Sequence, residues 1–360
     1  MREIDYTDIE KLLEYTCKNK ATDLLISVGT KPTIRVSTIL EPVQGSSAQT
    51  IDSSEKMVQT LLDEKKKQRL ENDGEVDFSF SRSGLGRFRV NIYKQRGTYS
   101  IAIRSLPFEI PAFEELGLPD VIKTFSRRPK GLILATGSTG SGKSTTLASI
   151  IDMINNERHC HVITIEDPIE YLHRHKNSIV DQREVGSDTR SFASAVRSAL
   201  REDPDVIMVG EMRDPETISV ALTAAETGHL VFSTLHTVGA AKTIDRIIDA
   251  FPPAQQNQIK SQFATVIEGI ISQQLIPLRK NKGLVAACEV MVANAAIRNL
   301  IREGKPYQIN SIIQTGANLG MQSLEANLAS LCASGEITQD DAVIRAMDTQ
   351  LFFQLMNKRW

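Results

Sequence analysis

Gly137-Ser138-Thr139-Gly140-Ser141-Gly142-Lys143-Ser144 is entered from the apolar run Gly131–Thr136 and leads into the helical stretch Thr145–Ile154. It satisfies GxxxxGK[ST] at every position, and the strand–loop–helix context is the one that motif requires. Glycines let the backbone curl so that successive N–H groups point at phosphate oxygens, and the new helix turns its positive end to the same anion. The pattern predicts a nucleotide site for ATP, with the cradle running from Gly137 through Thr145. Lys143 is expected to bridge the β- and γ-phosphates, and Ser144 to hold Mg²⁺. A flexible Gly/Ser turn is the competing reading, and it requires neither flank.

Outward from the loop, His161–Ile165, Val206–Val209 and Leu230–Thr234 repeat the short apolar run and alternate with helical stretches. Apolar runs without alternation indicate strands buried on both faces, hence a parallel α/β sheet. A further strand is expected at Leu284–Met291, followed by largely helical sequence. Two segments offer carboxylates. Glu166, Asp167 and Glu170 follow one strand, and each is also readable as a cap of the next helix. Asp205-Val-Ile-Met-Val-Gly-Glu211 is an apolar strand ending in an acid, with Gly210 where an aspartate is common. Glu211 is expected in the Mg²⁺ shell and Glu170 at the attacking water. His229 and His236 flank the strand at Leu230–Leu235; each is a satisfied polar residue or a sensor of the γ-phosphate.

Residues 1–106 have a different grammar. Ile4, Ile9, Leu12, Leu13 and Tyr15 place an apolar side on a helix over residues 3–19. Strands are expected at Ala21–Val28, Thr33–Val36, Val76–Phe80, Gly86–Tyr93 and Tyr99–Ser105, with a single helix at Ser53–Asn72 capped by Ser53 or Ser54. That mixture indicates a small α+β domain. Lys65-Lys66-Lys67 reads as a solvated helix face. Pro107, Pro111 and Pro119 mark residues 107–120 as a linker, followed by an ATPase domain at 121–292 and a helical region at 293–360.

The 360 residues carry a formal net charge of −2, with 41% hydrophobic and 24% charged residues. That balance supplies real cores and no global field towards nucleic acid, so no stable nucleic-acid binding is expected. Cys17, Cys160, Cys288 and Cys332 lie far apart without a CxxC pair, which supports neither a zinc nor a redox motif. The acidic N-terminus does not read as a secretory signal, and no apolar run reaches membrane-spanning length. A cytoplasmic protein is expected.

Taken together, Thr164-Ile-Glu-Asp-Pro-Ile-Glu170, Arg201–Asp214 and Thr227–Thr237 resemble the aspartate box, Walker B region and histidine box of the secretion ATPases of type II and type IV pilus systems. The likeness covers nearly the whole chain. Ala296-Ile297-Arg298-Asn299-Leu300-Ile301 is similar to the motif of that family's retraction motors, and the missing tetracysteine element points the same way. Read alone, the hexapeptide is an amphipathic helix with Ile297, Leu300 and Ile301 inward. One departure is Thr22-Asp-Leu-Leu-Ile-Ser27, where Leu25 replaces a histidine common in the family.

The resemblance implies a PAS-like N-terminal domain, a RecA-like ATPase domain and C-terminal helices in a homohexameric ring at the cytoplasmic face of the membrane. It implies a pilus inner-membrane platform protein as partner and pilin as an indirect one. It also implies arginines that reach the γ-phosphate; Arg87, Arg89 and Arg104 are the candidates, each alone also readable as a solvated strand residue. Pilus assembly, secretion and DNA-uptake motors of the family stay open, as does a RecA-like nucleic-acid translocase.

Overall fold

The computed structural model describes residues 8–36, 39–106, 109–280 and 283–357. The chain divides into two compact units, Met1–Glu109 with Glu170–Leu172, and Ile110–Ile169 with His173–Trp360.

The first unit runs α1 (Ile9–Lys18), β1 (Asp23–Ile26), β2 (Thr33–Val36), β3 (Ile39–Pro42), α2 (Ile51–Leu61), α3 (Glu64–Asp73), β4 (Glu75–Arg82), β5 (Gly86–Gln95) and β6 (Thr98–Ser105). The strands form an antiparallel sheet in the order β3-β2-β1-β6-β5-β4. Its core is Ile9, Leu12, Leu13, Leu24, Ile26, Met57, Phe88, Val90, Ile92, Ile101 and Ile103. The helix at 3–19 is described from its cap onward: Asp8 accepts from Glu10 N, and Ile4 lies outside the described residues. The single helix expected at 53–72 is two. Leu62 is extended, and Asp63 caps a new helix by accepting from Lys66 N at 2.9 Å. Thr50, not Ser53 or Ser54, caps α2. An aspartate preceding three lysines is a stronger start signal than helical spacing alone, because it satisfies an otherwise orphaned N–H.

The second unit runs α4 (Lys123–Ser126), β7 (Gly131–Thr136), α5 (Lys143–Glu157), β8 (His161–Glu166), β9 (Ile179–Glu184), α6 (Phe192–Ala199), β10 (Val206–Val209), α7 (Pro215–Glu226), β11 (Leu230–Leu235), α8 (Ala240–Asp249), α9 (Pro253–Val266), β12 (Ile267–Pro277), β13 (Leu284–Val292), α10 (Ala295–Arg302), α11 (Ile309–Thr315), α12 (Leu324–Ala333), α13 (Gln339–Arg345) and α14 (Thr349–Asn357). The sheet order is β13-β12-β7-β11-β10-β8-β9. All neighbours are parallel except the β12–β13 edge pair. β7, β10 and β11 are buried at every position. Two strands of this unit escape the sequence reading, as β3 does in the first. β9 alternates burial on an open edge, and β12 follows α9 with no residue between them, its first residue Ile267 serving as the helix cap.

The stretch expected to be a linker is not free chain. Phe113 and Leu118 within it are buried in the second unit's core, beside Ile122 and Phe125 that follow it. A Cβ on Gly269 would collide with the Phe125 ring. Pro107 lies outside the described residues, as does the C-terminal Lys358-Arg359-Trp360. The helical region also divides. Ile297, Ile301, Ile309 and Ile313 join the main core, whereas Leu324, Leu328, Ala329 and Phe352 form a separate cluster with Ile276 and Ala287. Among the described residues, no helix is long and apolar enough to cross a membrane. The four cysteines are free, and Cys288 alone of them is fully buried.

Candidate active site

β7 and β8 are consecutive strands, yet β11 and β10 lie between them in the sheet. Such an order opens a crevice at the carboxyl ends of the strands, where α/β folds bind ligands. The register brings those ends level: Thr136 pairs with Leu235, Ser233 with Val209, and Val209 with Ile165. The loop after Thr136, His236 after Leu235, Gly210–Glu211 after Val209 and Glu166 at the end of β8 therefore share one edge.

The loop at 137–144 is shaped by its glycines. Gly137 (φ 142°) and Gly142 (φ 88°) take backbone conformations that side-chain residues avoid. A Cβ on Gly137 would lie 2.6 Å from Ser141 Oγ, and one on Gly142 would lie 2.6 Å from Gln273 Nε2. α5 begins at Gly142 without a side-chain cap. Lys143 is buried and donates to the carbonyls of Gly137 and Ser138, each at 2.9 Å. The buried hydroxyls of Thr136 and Ser141 make no hydrogen bond. A folded loop with a buried ammonium group and unsatisfied hydroxyls is a cradle for an anion, because a phosphate supplies the acceptors these groups lack. Ser144, at the first turn of α5, is exposed.

Beside the cradle, Glu211 Oε2 meets Arg213 Nε at 2.6 Å and His236 Nε2 at 3.5 Å. Thr234 on β11 donates to the Gly210 carbonyl at 2.6 Å, and Met212 N donates to Thr234 O at 3.1 Å. Those bonds fix the turn that presents Glu211. Gly210 is closely packed: a Cβ there would lie 3.2 Å from the Ile165 carbonyl, so β8 would have to give by a few tenths of an ångström to take a side chain. Among the described residues, no group of three His, Cys, Asp or Glu side chains stands ready to hold a metal by itself. The Ser144 hydroxyl and the Glu211 carboxylate are oxygen donors of the kind Mg²⁺ takes.

The structure separates the two histidines. His229 precedes β11, at the amino edge; its Nδ1 lies 2.9 Å from Ala224 O and 3.3 Å from Thr227 Oγ1, and its carbonyl accepts from Gly131 N at the start of β7. Within one chain it therefore lies at the edge opposite the phosphate loop, with its ring bonded by its own chain. Strand length is the reason: Leu230–Leu235 stands between the two rings.

The acids after β8 also sort themselves. No helix follows before β9, so the reading of Glu166, Asp167 or Glu170 as a helix cap does not hold. Glu166 is buried at the strand end and accepts from Thr164 Oγ1 at 2.7 Å and Gln182 Nε2 at 3.1 Å. Glu170 is exposed, four residues beyond the strand.

The candidate arginines lie on the face of the first unit's sheet. Arg89 Nη2 meets Asp77 at 2.7 Å, Arg104 Nε meets Asp23 at 3.0 Å, and Arg87 Nη1 donates to Ser81 Oγ at 3.3 Å. Arg89 and Arg104 are directly opposite on β5 and β6. Asp23 also holds Arg35 at 3.5 Å, and Asp23, Asp77, Arg89 and Arg104 border a cavity of about 270 Å³.

Gln273 was not singled out by sequence reasoning. It is buried on β12, and its Oε1 accepts from Thr146 Oγ1 of α5 at 2.9 Å. No motif marks it, and only an unusual Ser-Gln-Gln inside an apolar strand signals it.

A family model described as type II/IV secretion system protein matches residues 6–317. The chain belongs to that family. It is 47% identical over 340 residues to the type IV pilus retraction ATPase PilT of Pseudomonas aeruginosa, covering 93% of this chain and 97% of that one. It is 48% identical to a twitching motility protein of Neisseria gonorrhoeae over 82% of this chain and 79% of that one. Among solved structures, the pilus retraction motor PilT with bound ADP superposes with a TM-score of 0.91 at 47% identity, covering 98% and 100% of the two chains. The ATPase DotB of Legionella pneumophila gives 0.77 at 29% identity over 94% of each. The secretion-family architecture, an N-terminal domain followed by an ATPase domain, is the one described above.

Proposed function

We propose that this secretion-family chain is an ATP-hydrolysing motor that drives retraction of a type IV pilus. The observation that carries the reading is the convergence of the phosphate loop, Glu211 and His236 on one edge of the parallel sheet. Near full-length likeness to a pilus retraction ATPase supports the choice of work.

ATP is held by the backbone of Gly137–Thr145 and by Lys143, which exchanges its two carbonyl partners for β- and γ-phosphate oxygens. Ser144 and Glu211 would hold Mg²⁺, which would neutralise charge on the phosphates. Glu170 orients the attacking water. His236, joined to Glu211, reports whether the γ-phosphate is present. Arginines among Arg87, Arg89 and Arg104 leave their present partners for the γ-phosphate, since an always-charged planar fork suits a transferring phosphoryl group. A grip made with ATP and lost with ADP is a differential contact, and only such a contact drives a conformational cycle. The chain works as a homohexamer at the cytoplasmic face of the membrane, turning an inner-membrane platform protein and returning pilin to the membrane. The motif Ala296–Ile301 belongs to that output.

Lys143→Ala and Glu170→Gln in purified protein test the chemistry: turnover of ATP falls to background in both, and undiminished turnover in both sinks the assignment. A deletion strain tests the work. Hyperpiliated, non-motile cells support retraction, and bald cells support assembly instead.

A further inference from the structure

His236 follows β11 directly, and the chain must then turn into α8. The turn is gripped from two strands at once. Ser272 on β12 and Glu289 on β13 are directly opposite one another and share a face of the sheet. Ser272 Oγ accepts from Gly239 N at 2.8 Å, and Glu289 Oε1 accepts from Ala240 N, the first residue of α8, at 2.7 Å. Thr237 and Thr243 close the turn internally at 2.7 Å, and Thr243 Oγ1 donates to Gly239 O at 2.8 Å. Gly239 (φ 91°) takes a backbone conformation that side-chain residues avoid, and a Cβ there would stand in ordinary contact with the Met347 methyl at 3.4 Å.

Glu289 is 4% exposed. A buried carboxyl group is expensive to retain, and a backbone N–H is satisfied as well by a neutral oxygen. Its neighbour is a second buried carboxyl group, Glu325 on α12, which accepts from Met347 N at 3.0 Å and Asp348 N at 3.1 Å. The two acids thus hold two turns that touch through Gly239 and Met347. One follows the histidine at the phosphate edge, and the other enters α14.

We infer that Glu289 is a positioning residue for ATP hydrolysis: it fixes the first turn of α8 and so sets His236 against Glu211, while Glu325 extends the same brace to the segment Arg345–Asp348. The inference rests on the reading of the Glu211–His236 edge as the γ-phosphate end of the site. Misplacing a group by about 1 Å costs up to 10²-fold in rate, whereas binding of the nucleotide by the loop at 137–144 does not pass through this turn.

The full-length protein is tested as Glu289→Ala and Glu289→Gln beside wild type. In Glu289→Ala, kcat falls about tenfold or more and KM for ATP stays within about twofold, the pattern of an interaction made only in the transition state. Glu289→Gln keeps the accepting oxygen and recovers at least about half of the lost rate. Should Glu289→Ala not fold, Glu289→Asp withdraws the oxygen by one methylene and is read the same way. A kcat within twofold of wild type in the Ala or Asp variant overturns the inference, as does failure of Gln to rescue. A second readout needs no turnover. Carbethoxylation of His236, followed by mass spectrometry, changes in rate more than about threefold in Glu289→Ala and not in Glu289→Gln, because only the former releases the turn. An unchanged rate overturns the inference even if wild type hydrolyses no ATP, a result that would by itself sink only the ATPase reading.

Discussion

The two edges of the parallel sheet are made from the same strands and bonded in opposite ways. At the amino edge every named polar group is closed on a neighbour. His161 meets Glu202 O and Asp181 Oδ2, each at 3.1 Å, its N–H donates to Asp205 at 2.9 Å, and His229 is held by Ala224 O. At the carboxyl side the hydroxyls of Thr136, Ser141 and Ser233 are buried with no hydrogen bond. Lys143 spends its charge on carbonyls, and Glu211 is shared by Arg213 and His236. Buried polar groups are normally satisfied. The amino edge leaves the Arg128 Nε without a hydrogen bond, but it stands 3.4 Å from the Glu268 carboxylate, whereas the three hydroxyls of the carboxyl side face no charged partner; the latter is the edge prepared for a ligand.

The contrast breaks most easily at Lys143. Lys143→Ala removes the charge that the cradle encloses, and ATP turnover falls by at least about 10²-fold. Next is a paired test of the histidines. His236→Ala lowers kcat by about tenfold or more, while His229→Ala in the same preparation has its main effect on stability, about 1 kcal/mol for a lost neutral hydrogen bond. Phosphate-release assays and urea titrations of both variants check it. Equal losses of kcat would erase the distinction between the edges.

Much of the carboxyl edge is legible in the sequence because its groups sit at strand ends, and strand ends are marked by apolar runs. The loop at 137–144 and Glu211 are found in that way. His229 and His236 look equivalent to that reading, since both flank the same run; only the direction of β11 in the sheet separates them. Gln273, Ser272 and Glu289 are not legible. Each is a polar residue inside a strand, and its partner is 127, 33 or 49 residues away in sequence. In the first unit the single helix at 53–72 fails for a local reason, the cap at Asp63, which spacing of Met57, Leu61 and Leu62 cannot reveal. In the motif Ala296–Ile301 the apolar residues read correctly, with Ile297 and Ile301 buried and Leu300 half-buried. Its arginine does not. Arg298 closes the end of α9 by donating to Ala264 O at 2.9 Å and Thr265 O at 2.7 Å, and it pairs with Glu268 at 2.6 Å.

Gln273 sharpens the contrast from beneath. Gln273→Ala leaves the Thr146 hydroxyl buried and unpaired and withdraws the amide from under Gly142, at a cost of about 2 kcal/mol in stability. KM for ATP rises severalfold while kcat changes less, since the loop is loosened and the Glu211 edge is not. A fall in kcat at constant KM would show that β12 supports the chemistry and not the cradle.

The smallest effect is a slope of stability against pH. Burial pushes the Glu289 carboxyl up to about 7, opposed by the hydrogen bond from Ala240 and reinforced by Glu325. The unfolded chain releases this proton near the ordinary carboxylate value, so above that value the folded state binds more protons than the unfolded one. Stability then falls as pH rises through about 7, by roughly 1 kcal/mol between pH 6 and 8. His173 runs the other way in a lower window. Burial lowers its pKa to about 4, with Asp152 opposing and Lys176 adding, so its contribution is present above the ordinary histidine value and is lost as pH falls towards 4. Subtracting the urea midpoints of Glu289→Gln from those of wild type cancels His173 and every surface group the two proteins share. The difference falls with pH if Glu289 is protonated in the folded state at pH 6, and is flat if the Ala240 N–H and the start of α8 hold it ionised throughout.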